Sequence, residues 1–379
     1  MLESPPLSLY IHIPWCIRKC PYCDFNSHEA AVSLPEKDYV TALCEDFDTE
    51  LENLDGRKIQ SIFIGGGTPS LFRAEHIANC LDHIRTQSSL ATDVEITLEA
   101  NPGAVDESNF TGFRAAGINR LSLGIQSFQQ DALAKLGRVH NDADAHRAIA
   151  VARNAGFTNI NLDLMHGLPD QTVDSALSDL RTAITYEPEH MSWYELTIEP
   201  NTVFYRRPPQ LPDDDILVQQ QDAGHALLAE SGYRRYEVSA YAKENRQSIH
   251  NINYWEFGDY IGIGAGAHGK LTNTNDGHIV RTRKHRQPQH YMASSMSRLA
   301  EKSLVPEQDR ALEFLLNALR LREGFDINCF ARRTGLPFDT IAKQVECMVN
   351  EGLLLHEGER LKASNKGYLH LNKLLEEFL

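Results

Sequence analysis

The sequence predicts an α/β fold: a parallel sheet built from repeated strand–helix units, followed by a smaller helical, winged-helix-like domain. Two observations predict it. Short apolar runs alternate with longer amphipathic segments up to about residue 196, and this rhythm then changes. Parallel strands need crossover connections, and a helix after each strand supplies them with a right-handed crossover.

Strand candidates are Ser8–Ile13, Gln60–Gly65, Val94–Glu99, Arg120–Gln126, Asn159–Leu164 and Met191–Leu196. Helical patterns lie between them at Glu36–Leu54, Ala74–Thr86, Asp106–Ala116, Asp142–Ala155 and Val173–Tyr186. Asp106 and Asp142 read as N-caps, and Gly117 and Gly156 as C-caps. The polar residues that interrupt the apolar runs (Gly65–Thr68, Glu99, Gln126 and Asp163) fall at the C-terminal strand ends, where parallel α/β folds bind ligands. Glu99 and Asp163 would be costly there without partners.

After Leu196, the proline-rich and acidic stretch Glu199–Asp215 reads as a loop, with a helix over Ile216–Ser231 and a strand near Arg235–Ala240. The glycine run from Gly258 to Gly269 reads as a tight turn, because it lacks the strand–GxGxxG–helix order of a nucleotide loop. From about Glu307 a helix, short helix, helix and hairpin pattern predicts the winged-helix-like domain. Near-balanced charge there favours a packing or partner module over a DNA reader.

The 379 residues carry a formal charge of −15, which argues against nucleic acid as a partner. No run of 18 apolar residues is present, and MLESPPLSLYIHIPWC lacks the basic start and apolar stretch of a signal peptide, so a cytoplasmic protein is expected. Seven cysteines include three within eight residues, a poor disulfide framework and a metal-site pattern. The other four, Cys44, Cys80, Cys329 and Cys347, are expected to be buried small hydrophobes.

Cys16-Ile-Arg-Lys-Cys20-Pro-Tyr-Cys23 follows directly on a strand. Three thiolates spaced C-x3-C-x2-C can wrap a corner of a [4Fe–4S] cluster and leave one iron without a protein ligand. The competing reading is a closed zinc site completed by His12 or His28, but zinc sites usually draw on two separated pairs.

The segment YIHIPWCIRKCPYCDF resembles the signature of radical S-adenosylmethionine enzymes. More closely it resembles the branch holding oxygen-independent coproporphyrinogen III dehydrogenase and the HemW-type haem chaperones. That resemblance implies a partial (β/α)6 TIM-type barrel, a [4Fe–4S] cluster on Cys16, Cys20 and Cys23, and S-adenosylmethionine on the open iron. It divides the chain into a barrel over 1–200, an α/β extension completing the cavity over 201–300, and the C-terminal domain over 301–379. Gly66, Gly67 and Thr68 of IGGGTP match the motif for the methionine amino group. Tyr10, Glu99, Gln126, Arg138 and Asp163 match the rest of the cofactor pocket, with Arg138 suited to the methionine carboxylate.

His250-Asn251-Ile252-Asn253-Tyr254-Trp255 could ligate or clamp a planar tetrapyrrole, with His250 as an axial iron ligand, but its residues alone favour a satisfied histidine beside packed aromatics. HNxxYW also resembles the motif of the haem chaperones, which implies that His250, Asn251 and Tyr254 bind haem. His268 and His166 are weaker candidates for facing the site. Two departures from the dehydrogenase pattern favour the carrier branch: Phe25 stands where that enzyme has a further cysteine, and only fifteen residues precede Cys16. The resemblance implies haem-requiring recipients such as respiratory enzymes, a haem donor, and compatibility with peripheral contact at the inner membrane and with a homodimer. Whether the cofactor site is catalytic stays open at this level.

Overall fold

A computed structural model describes residues 2–30, 33–293 and 297–379. Twelve strands form one sheet. They are β1 (Leu7–Ile13), β2 (Ile59–Gly66), β3 (Leu90–Ala100), β4 (Arg120–Gln126), β5 (Ile160–His166), β6 (His190–Glu195), β7 (Arg234–Arg235), β8 (Ala240–Ala242), β9 (Asp259–Ile263), β10 (His268–Asn273), β11 (His278–Lys284) and β12 (Leu299–Leu304). Their order across the sheet is β12-β11-β10-β9-β1-β2-β3-β4-β5-β6-β8-β7. Strands β1 to β6 are parallel neighbours, the six units expected from the alternation. The first and last strands in this order do not pair among the described residues, so the sheet is an open, partial barrel.

The helices α1 (Glu36–Thr49), α2 (Ala74–Gln87), α3 (Glu107–Ala115), α4 (Asp142–Asn154) and α5 (Val173–Thr185) supply the crossovers. The helix caps are local. Asp106 accepts from the Asn109 N–H as expected, whereas α4 is capped by Asn141 in a capping box with Asp144, one residue before the expected Asp142.

LSLYIHI shows how one strand serves two faces. Leu7, Leu9, Ile11 and Ile13 lie in the apolar core with Tyr39, Phe47 and Phe72, while Ser8, Tyr10 and His12 point the other way. Parallel strands are usually apolar on both faces. Here the second face is polar: Ser8 meets Ser61 at 2.8 Å, and Asn161 donates to Ser122 and Asp163 at 2.8 Å each. A concave face that carries satisfied polar groups is built to hold something other than core.

The glycine run is where the expectation fails. It contains β9, which pairs in parallel with β1 (Leu7 with Asp259 through Ile11 with Ile263), and only then turns into antiparallel β10. Glycine disguises the strand because packing demands it: a Cβ on Gly262 would lie 2.0 Å from the His268 carbonyl oxygen. The helix expected over Ile216–Ser231 spans Asp214–Glu230 (α6), and the strand near Arg235–Ala240 is divided between β7 and β8.

The C-terminal region packs around a second core of Phe314, Phe330, Val345, Leu361 and Leu374, which Phe257 and the β11 residue Ile279 join from the preceding region. Helices Glu307–Ala318, Ile327–Thr334 and Ala342–Asn350 precede a hairpin of Leu354–Glu357 and Arg360–Ala363, with Phe325–Asp326 as third strand. Helices Asn365–Leu369 and Leu371–Glu376 follow. Of the four scattered cysteines only Cys80 is fully buried, and Cys347 is exposed, since Val345 and Met348 take the core-facing positions of its helix.

Candidate functional site

The cysteine loop leaves β1 and is pinned on several sides. Trp15–Cys16 pairs in parallel with His28–Glu29, Arg18 Nη2 donates to the Gly137 carbonyl at 2.6 Å, and the Phe204 N–H donates to the Pro21 carbonyl at 3.0 Å. Cys16, Cys20 and Cys23 are free thiols, each partly buried. Burial raises the Cys16 thiol, opposed by a hydrogen bond from Thr68, and burial raises Cys23 likewise. Iron binding drives such thiols to thiolates. Among the described residues, no three His, Cys, Asp or Glu side chains converge on a point that would hold a single metal ion. In a cubane each thiolate meets a different iron. Of the two histidines that would close a zinc site, His12 has both ring nitrogens engaged, Nδ1 with Tyr10 Oη at 2.9 Å and Nε2 with the Asn26 carbonyl at 2.8 Å. His28 keeps Nε2 buried, with no partner among the described residues.

The strand ends carry a continuous row of polar groups next to the loop. Gly66 sits at φ +116°, a conformation that favours glycine, and its N–H donates to Glu99 Oε2 at 3.0 Å. A Cβ on Gly67 would lie 2.4 Å from the Trp15 carbonyl oxygen, so the backbone of this turn lies directly against the cysteine loop. Glu99 is pushed up to about 8 by burial and by neighbouring Asp163, against the pull of the Gly66 N–H. Burial also raises Asp163, which accepts from Ser122 Oγ and Asn161 Nδ2 at 2.8 Å each. Gln126 adopts a left-handed φ of +68° and accepts from Tyr194 Oη at 2.7 Å. Arg138 Nη2 donates to the Gly124 carbonyl at 2.8 Å, Nη1 reaches Cys20 Sγ at 3.6 Å, and Nε is buried with no partner among the described residues. A buried guanidinium donor left over beside a cysteine ligand fits an anionic group of a cofactor. Tyr22 and Tyr194 join this row without having been singled out in the sequence, and His12, read there only as a possible zinc ligand, joins it as well. Tyr194 carried a signal, since it stands at the C-terminal end of the sixth strand.

A cavity of about 650 Å³ opens from this row, lined by Tyr10, His12, Gly66 and Glu99 together with Phe25, Tyr254, Tyr260 and His268. The HNxxYW residues lie on α7 (Ile249–Trp255), capped by Ser248. Tyr254 faces the cavity. His250 lies behind it, 1% exposed, with Nδ1 on Ser61 Oγ at 2.9 Å and Nε2 on Tyr254 Oη at 3.1 Å. Burial lowers its pKa to about 3, so the ring is neutral, but neither nitrogen is free in this arrangement. Asn251 gives its backbone N–H to Ser248 Oγ, and Asn253 ties the helix to β9 through the Asp259 carbonyl at 2.9 Å. His166 is away from this cavity, packed on Trp193 with ring centroids 4.3 Å apart.

The family model of the radical SAM superfamily matches residues 10–183, and that of the HemN C-terminal domain matches residues 305–370. The heme chaperone HemW of Escherichia coli is 49% identical over 379 residues, covering 100% of both chains. This chain belongs to the HemW family. The heme chaperone HemW of Haemophilus influenzae is likewise 49% identical, covering 100% of this chain and 99% of that one, and that of Lactococcus lactis is 31% identical. Among solved structures, coproporphyrinogen III oxidase (HemN) from Escherichia coli, a radical SAM enzyme, superposes with a TM-score of 0.83 at 22% identity, covering 99% of this chain and 90% of that one. That likeness shows the fold. Membership of the radical SAM superfamily implies a [4Fe–4S] cluster and S-adenosylmethionine, and the free thiols, the glycine turn and the unpartnered Arg138 Nε fit both groups.

Proposed function

We propose that this chain is a haem carrier, which binds haem and hands it to haem-requiring proteins such as respiratory enzymes. The observation that carries this reading is end-to-end identity of 49% to relatives named heme chaperone HemW. The cavity supports it, being aromatic on its walls and large enough for a tetrapyrrole.

Cys16, Cys20 and Cys23 hold the cluster. Gly66, Gly67 and Thr68 face the methionine amino group, Arg138 its carboxylate, and Tyr10, Glu99, Gln126 and Asp163 complete the cofactor pocket. A cluster bound there supplies an open iron for the methionine moiety and an electron for its sulfonium. Haem enters beside Tyr254, with His250 and Asn251 of the same helix supporting that wall. Residues 1–200 form the cofactor barrel, 201–300 complete the cavity, and 301–379 form a partner or packing module. No helix among the described residues is long and apolar enough to cross a membrane. The protein works in the cytoplasm, reaches the inner membrane peripherally, and meets a haem donor, its recipients and, as a homodimer, a second copy of itself.

The test uses anaerobically reconstituted protein, reduced with S-adenosylmethionine and coproporphyrinogen III, with haem titrated in parallel. Saturable haem binding without decarboxylation is expected. Formation of protoporphyrinogen would make the chain a dehydrogenase despite Phe25 and overturn the carrier reading.

A further inference from the structure

The solvent-exposed rim of the cavity carries one histidine and two arginines, His268, Arg283 and Arg286. His268 opens β10 and stands in register with Arg283 of β11, so the two side chains share one face of the hairpin. His268 is exposed, and among the described residues no hydrogen bond engages its ring nitrogens. Partial burial and the nearby Arg283, Arg281 and Arg286 lower its pKa. The imidazole is therefore neutral, the state that ligates a metal. His250 lacks this freedom, since both of its nitrogens are engaged inside the protein.

Arg286 is exposed at the same rim and has no carboxylate partner among the described residues. Its Nε reaches only as far as Asn26 Oδ1, at 3.4 Å. Arg283 pairs with Glu301 at 2.7 Å in a half-exposed bridge, which exchanges readily for another carboxylate. Unpaired guanidinium at a cavity mouth is unusual on a chain of net charge −15, and it complements a ligand carrying carboxylates. The same cavity has aromatic walls in Tyr254, Tyr260 and Phe25, the last 61% exposed. A neutral imidazole, guanidinium groups and aromatic walls around about 650 Å³ together match a flat, apolar, iron-bearing dicarboxylate.

We propose that His268 is the axial iron ligand for haem and that Arg286, with Arg283, holds its propionates at the cavity mouth. This rests on the haem-carrier reading and assigns the iron to a residue outside HNxxYW. Tyr254 then acts as a wall, and His250 as the buried group that holds Tyr254 in place.

The test titrates ferric haem into the cluster-reconstituted full-length chain and follows the Soret band and low-temperature EPR. His268→Ala should lose the histidine-ligated spectrum and bind haem at least about tenfold more weakly, with the spectrum restored by added imidazole. Cluster absorbance retained in that variant shows that it is folded. His250→Ala should keep the histidine-ligated spectrum. Arg286→Ala should weaken haem binding roughly fivefold while leaving the affinity for haem dimethyl ester, which lacks carboxylate charge, unchanged. A wild-type spectrum in His268→Ala, with ligation lost in His250→Ala, would overturn the assignment and leave haem carriage standing. Absence of haem binding by the wild-type chain would overturn both.

Discussion

Glu99→Gln separates two roles for the carboxylate that receives the Gly66 N–H. Held at about 8, against 4.5 for an ordinary glutamic acid, Glu99 is about 90% protonated at pH 7 in the cofactor-free chain. Pairing with the cationic end of S-adenosylmethionine requires the anion, so binding must expel close to one proton from this site. Partnering a ribose hydroxyl requires no such release. An amine that ligates iron also sheds a proton, so the informative quantity is the difference between wild type and variant. We expect wild-type protein at pH 7 to release about 0.9 proton more per cofactor bound than Glu99→Gln, measured calorimetrically in buffers of differing ionisation enthalpy. The same substitution changes stability with a defined sign. Because the folded-state pKa is raised, the carboxyl stabilises the native chain fully below about 4.5 and loses that contribution as pH rises through about 8. The full penalty above pH 8 is at most about 5 kcal/mol, and solvent at the cavity mouth reduces it. Glu99→Gln should therefore melt higher than wild type at pH 8.5 and not at pH 5. Equal proton release in both proteins would refute the cationic-partner role.

Other substitutions probe the remaining parts of the site. Replacing Cys16, Cys20 or Cys23 by Ser should abolish the broad visible absorbance of the reconstituted cluster, and a full cluster in any of the three would remove that cysteine from the ligand set. Gly67→Ala places a methyl 2.4 Å from the Trp15 carbonyl oxygen, which must displace the cysteine loop. A loss of roughly 1–3 kcal/mol in chemical denaturation and a reduced cluster yield are expected. Asp259→Ala strips its partner from buried Lys270, 2.8 Å away, at a cost of about 3–5 kcal/mol by urea unfolding. Burial alone would raise the Asp259 carboxyl, but Lys270 and Arg57 hold it below the usual range. Its contribution is present above the unfolded-state pKa and fades as pH falls through the folded one, so wild type and Asp259→Ala should converge in strongly acid solution.

Much of the site was legible because its chemistry is local. Cys16, Cys20 and Cys23 fall within eight residues, and Gly66, Glu99 and Asp163 interrupt apolar runs at strand ends. What escaped depends on long-range pairing. Strand β9 was hidden by Gly262 and Gly264, which are glycine because His268 and His12 backbone atoms approach them closely. With β9 taken for a turn, His268 is only a weak candidate for the site, and nothing places Arg283 of the β10–β11 hairpin beside it. His250 stood out by motif, yet Ser61 and Phe63 reach it from β2, almost 190 residues earlier, and only packing of that strand on its helix shows that both ring nitrogens are engaged.

The placement of β1 between β2 and β9 also orders events during synthesis. The strand that delivers the cysteines is made well before one of its two edges, since Asp259–Ile263 follows it by some 250 residues. Until then the cysteine loop has β2 and the early helices around it but lacks the hairpin wall of the cavity. A cluster bound before that pairing would add its binding energy to the half-built sheet ahead of the slow, long-range step.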